Sequence, residues 1–178
     1  MAALLFLASV AAGEEAKNPR PRARALLVVE PPEIDGRLDE AMWQAAERLQ
    51  PLTQIVPIEG ATPSQPTDVR IVRTAGALYF GIRCYDDHPD EIIARVMEQD
   101  ASLRGDDRVG LTLDTFRDQR SSYFFAVNPR GSRFEGLIEY NDFEENWETI
   151  WQARARIDDQ GWTVEIEIPF ESISFNPS

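Results

Sequence analysis

The chain has 178 residues, 43% of them hydrophobic, and a formal net charge of −13. A chain of this length supports one domain with a real core, because folding at roughly 150 residues buries about two-thirds of the unfolded surface. The excess of carboxylates excludes a nucleic-acid partner, the single cysteine Cys84 excludes an internal disulfide, and no Cys/His spacing suits structural zinc.

Met1 to Ala12 is an unbroken apolar run ending in small residues. It is too short to span a bilayer and reads as a signal peptide over 1–12, which implies export to the periplasm, outer membrane or extracellular space. Residues 13–25, charged and Pro-rich, read as a linker, and 26–178 as the folded unit. Leu26 to Val29 forms a first short strand that stops at Pro31 and Pro32. Ile34-Asp35-Gly36 makes a turn, and Ala41, Met42, Trp43, Ala45 and Ala46 favour a short helix anchored by Trp43.

Period-two segments follow, each bounded by turn residues, as antiparallel strands with one buried face require. Leu52 to Pro57 is the weakest of them. Thr67 to Thr74 and Ala77 to Tyr85 flank Ala75-Gly76 as a hairpin, and Pro89 to Met97 suggests a second short helix. Val109 to Asp114, Ser121 to Val127 and Phe134 to Tyr140 continue the pattern, with a turn at Asn128-Pro129-Arg130-Gly131. Trp151 to Ile157 and Trp162 to Ile168 close it around Asp158 to Gly161. About nine strands and two short helices predict an all-β, antiparallel β-sandwich.

The ordered series Ile34-Asp35-Gly36, Leu38-Asp39-Glu40, Trp43, Ala77-Leu78-Tyr79-Phe80, Asp106-Asp107-Arg108-Val109, Val127-Asn128-Pro129 with Gly131, and Gly161-Trp162 with Glu165 and Ile168-Pro169-Phe170 resembles the family 9 carbohydrate-binding domains. Trp147, Trp151 and the run Ala153 to Trp162 are similar to one branch of that superfamily. In it the domain begins a long secreted protein whose remainder forms a predicted outer-membrane β-barrel. The resemblance implies a β-sandwich without a catalytic centre, a carbohydrate ligand, a part in carbohydrate catabolism and a C-terminal barrel in the parent chain. It also implies a further strand after Ile168-Pro169-Phe170, so the expectation is a sandwich cut before its last strand.

Sugars are held by aromatic faces together with carboxylates, amides and guanidinium groups that bond the hydroxyls. Tyr140 to Glu148 has that composition and fits neither helical nor strand period, which reads as a loop. Trp147, Tyr140, Asn141, Asp142 and Glu145 are its candidate carbohydrate-binding residues, Trp147 being weighed against a role capping the core edge. Trp43, Trp151 and Trp162 are assigned to the core. Asp86, Asp87, Asp106 and Asp107 are candidate calcium ligands, weighed against ordinary solvated loop acids. The chain has one histidine, His88, in a loop, and Cys84 alternates with core residues, so neither a triad nor a Cys/His pair has its parts. Glu165 and Glu167 point away from the apolar strand face and are expected to be exposed or partly paired. The rival reading is a periplasmic interaction or plug domain of an outer-membrane barrel that binds no sugar.

Overall fold

The computed structural model describes residues 23–140 and 142–175. The expected signal peptide, most of the expected linker, Asn141 and the last three residues lie outside the described residues. The chain runs β1 (Leu26–Leu27), α1 (Ala41–Ala45), β2 (Thr67–Arg73), β3 (Ala77–Tyr85), a 3₁₀ turn at Pro89–Glu91, β4 (Val109–Leu113), β5 (Ser121–Val127), β6 (Arg133–Glu139), β7 (Asp142–Glu144), β8 (Gln152–Asp158), β9 (Gly161–Pro169) and a 3₁₀ turn at Phe170–Ser172.

These strands form two sheets, one of five in the order β1-β2-β3-β9-β8 and one of four in the order β4-β5-β6-β7. All pairings are antiparallel except β1 on β2. The period-two pattern explains the core. Phe80 and Ile82 of β3, Val164, Ile166 and Ile168 of β9 and Ala153 of β8 meet Phe125 and Val127 of β5, with Trp151 and Trp162, in one buried cluster. β3 and β9 pair along their full length, Ala77 opposite Pro169 to Tyr85 opposite Gly161, and form the spine of the larger sheet.

Three local expectations are corrected. Pro89 to Met97 makes only a 3₁₀ turn, because the 93–96 backbone is taken up by side chains: Asp107 accepts from Ile93 N–H at 2.7 Å and Asp106 from Val96 N–H at 3.0 Å. Such local capping competes with helix formation. Leu52 to Pro57 is not a strand, and Ile55 and Val56 stand exposed. The Tyr140 to Glu148 segment is not wholly loop, since β7 pairs with β6 there, Ile138 opposite Phe143.

The β5–β6 turn is held by a fully buried amide. Asn128 Nδ2 donates to Val96 O and to Asp106, each at 2.9 Å, and its Oδ1 accepts from Arg130 N at 3.1 Å and Ser132 N at 2.9 Å. Asn128→Ala is therefore expected to cost about 2 kcal/mol in urea unfolding, since buried partners left unpaired cost about 1–3 kcal/mol.

On the opposite side of the five-stranded sheet, the 33–46 segment crosses the strands and packs Trp43 and Ala46 against Val72, Ala77 and Tyr79. Gly81 permits this, because a Cβ there would lie 2.8 Å from the Trp43 ring. Glu165 of β9 fastens the segment: fully buried, it accepts Asp35 N–H at 3.0 Å, Gly36 N–H at 2.8 Å and the Trp43 indole N–H at 2.9 Å. The expectation of an exposed or partly paired Glu165 is thus corrected, since the side chain is buried with both oxygens hydrogen-bonded. It does point away from the main core, but a second layer covers that face.

Candidate functional site

β5 carries three successive aromatics, and strand alternation sends Tyr123 and Phe125 inward while Phe124 faces out. Register then sets Phe124 opposite Gly136 and Ala126 opposite Phe134 on β6, and Phe143 of β7 next to Ile138. The outer face of the four-stranded sheet therefore bears a platform of three rings. Phe134 and Phe143 stack at 5.8 Å with 20° between planes, and Phe124 meets Phe143 edge-on at 5.7 Å. Gly136 makes the room, since a Cβ there would come within 2.3 Å of the Phe143 ring.

The platform forms the wall of a 480 Å³ groove, lined also by Leu103, Ile138, Arg104, Arg108 and Glu145. Arg108 Nη1 donates to Leu103 O at 3.0 Å, which ties it to the 103 loop. Arg104 and Glu145 are exposed at the rim. Two guanidinium groups and a carboxylate beside apolar ring faces provide donors and acceptors for hydroxyls and a surface for C–H groups.

The structure brings one described carbohydrate candidate, Glu145, into this groove. Trp147 is half-buried on the inner side, against Tyr123 at 5.1 Å and Phe125 at 6.2 Å, and caps the core edge. Tyr140, 73% exposed at φ 49°, and the exposed Asp142 line no part of the groove, and Asn141 lies outside the described residues. Sequence reasoning did not single out the other groove residues Phe124, Phe134, Phe143, Arg104 and Arg108. The available signal was the Tyr123-Phe124-Phe125 run, which cannot bury all its rings on one face.

The candidate calcium ligands serve the chain itself. Asp86 accepts His88 N–H, Asp87 accepts from Gln65, Asp107 caps Ile93, and Asp106 accepts from Arg95, Val96 and Asn128. Among the described residues no three carboxylate, His or Cys side chains converge as a metal site. Cys84 packs against the main core, and burial pushes its thiol up to about 12. It is expected to stay unmodified by a disulfide reagent at pH 8 and to react on unfolding, because the thiolate is the nucleophile.

No protein-family model and no curated protein matches the sequence. Solved structures do. A family 9 carbohydrate-binding module from Caldicellulosiruptor kristjanssonii is similar in its cellotriose complex (TM-score 0.57, 19% identity, 82% of this chain and 67% of that one). It is similar also in its glucose complex (TM-score 0.54, 19% identity, 87% and 73%). A Bacteroides uniformis structure provisionally described as a carbohydrate-binding protein superposes with TM-score 0.63 at 13% identity, over 83% and 72% of the two chains. At such identities the likeness is one of architecture: the chain has the β-sandwich fold of the family 9 carbohydrate-binding modules.

Proposed function

We propose that this domain is a non-catalytic carbohydrate-binding module whose ligand lies on the outer face of the four-stranded sheet. The observation that carries the reading is the ring platform of Phe124, Phe134 and Phe143 beside Arg104, Arg108 and Glu145 in one groove. The fold shared with modules solved with cellotriose and glucose supports it. Neutral gluco-oligosaccharides are the natural first ligands. The apolar run Met1 to Ala12 supports an exported parent protein, and the sequence resemblance implies a part in carbohydrate catabolism and an outer-membrane barrel as the partner domain.

Calorimetric titration with glucose, cello-oligosaccharides and other neutral saccharides tests this. Saturable heat is the expected result. Absence of heat with every saccharide, from protein that melts cooperatively, would shift the reading to an interaction domain of the envelope.

A further inference from the structure

A second groove, of 540 Å³, opens on the other side of the molecule, where the 33–46 segment crosses the five-stranded sheet. Its size falls within the range of roughly 300–1,000 Å³ typical of ligand sites. Five arginines line it, Arg37, Arg48, Arg70, Arg83 and Arg156, against three aspartates. In a chain with 31 acidic and 18 basic residues this local excess of positive charge runs opposite to the whole.

Two of the arginines are spoken for: Arg48 pairs with Asp68 at 3.2 Å, and Arg83 forks onto Asp158 at 2.5 and 2.6 Å while lying 5.4 Å over the Tyr85 ring. Arg70 donates to the Trp43 carbonyl, which leaves its charge uncancelled. Arg37 reaches Asp35 only at 3.7 Å. The Arg156 guanidinium makes no hydrogen bond or ion pair with another described residue, and acts on Asp158 through charge alone. The groove thus has paired polar walls and, in the exposed Arg37 and Arg156, guanidinium groups with donors to spare.

We propose that this groove binds a carboxylate-bearing saccharide, a uronate unit, with its carboxylate on Arg156 and Arg37. Guanidinium forks match carboxylates geometrically. Asp39, the lining aspartate not paired with an arginine of the groove, repels a dianion such as phosphate more than a singly charged uronate and offers an acceptor to ring hydroxyls. The site extends the carbohydrate reading to a second ligand class on a separate face.

The test is calorimetry on the full chain with glucuronate and oligogalacturonate, against cello-oligosaccharide and inorganic phosphate. The expected result is uronate binding that weakens with added salt, falls at least tenfold in the Arg37→Ala/Arg156→Ala double variant, and persists in Phe143→Ala. Both arginines are exposed, so the double variant is expected to keep the parent melting temperature. Uronate binding absent from the parent, retained in the arginine variant, or lost in Phe143→Ala overturns the proposal, as does phosphate binding equal to uronate. Failure here leaves the cello-oligosaccharide arm to judge the other groove independently.

Discussion

Glu165→Ala is expected to lower the unfolding free energy by about 4 kcal/mol, because it leaves three buried N–H donors unpaired at about 1–3 kcal/mol each. For a chain of this length that is a fall of about 10 °C in Tm. The loss comes from what stays behind. Two backbone N–H groups and the Trp43 indole N–H converge on this buried carboxyl. Replacing a buried acceptor by an apolar group is tolerated only when its donors go too. Glu165→Gln separates the contributions: its carbonyl keeps the two backbone donors, whereas its amide faces the indole N–H, so an intermediate loss is expected.

The same carboxyl gives a pH signature. Burial pushes its pKa up to about 7, against the Gly36, Asp35 and Trp43 donors that pull it down, with Glu40 adding repulsion. Raised above its unfolded value, it holds a proton in the folded state that the unfolded chain has released between about pH 4.5 and 7. Its contribution is therefore fully present below that window and lost as pH rises through it. Urea melts at pH 5 and 8 are expected to show the parent losing stability with rising pH over this span and Glu165→Gln showing a flatter dependence. A parent curve that rises with pH in step with the Gln variant would contradict the assignment.

Phe143→Ala is expected to weaken neutral saccharide binding by about 10- to 50-fold, equivalent to about 1.4–2.3 kcal/mol, in the range of an aromatic hot spot at a binding surface. Phe143 stacks on Phe134 and meets Phe124 edge-on, so its loss removes one ring and frees the other two. Gly136→Ala offers an independent check, since its methyl would displace the Phe143 ring without deleting it. It should reproduce a large part of the loss. Trp147→Ala is expected to act differently: its ring rests on Tyr123 and Phe125 at the core edge, so stability should fall while affinity per folded molecule holds. Affinity lost in Trp147→Ala but kept in Phe143→Ala would place the ligand at the 140–148 segment instead.

The alternation in the sequence by itself determined most strands of the two sheets, but it placed a strand at Leu52 to Pro57 that does not form and missed β7. Ala77 to Tyr85 and Ser121 to Val127 come out with the same limits, and Trp43, Trp151 and Trp162 are buried as their apolar neighbours demand. Strand period is a local property, legible within eight residues. What lies over the outer face of a strand is not local, and there the tertiary structure decided. Glu165 and Glu167 alternate with the same core residues, yet Glu165 is buried because a segment 130 residues away in sequence brings Asp35 and Trp43 onto it. β7 became a strand because Ile138 and its neighbours offered an open edge, not because its three residues favour one. The ring platform likewise exists only once register aligns Phe124, Phe134 and Phe143 across three strands, a coincidence of pairing that no single segment encodes.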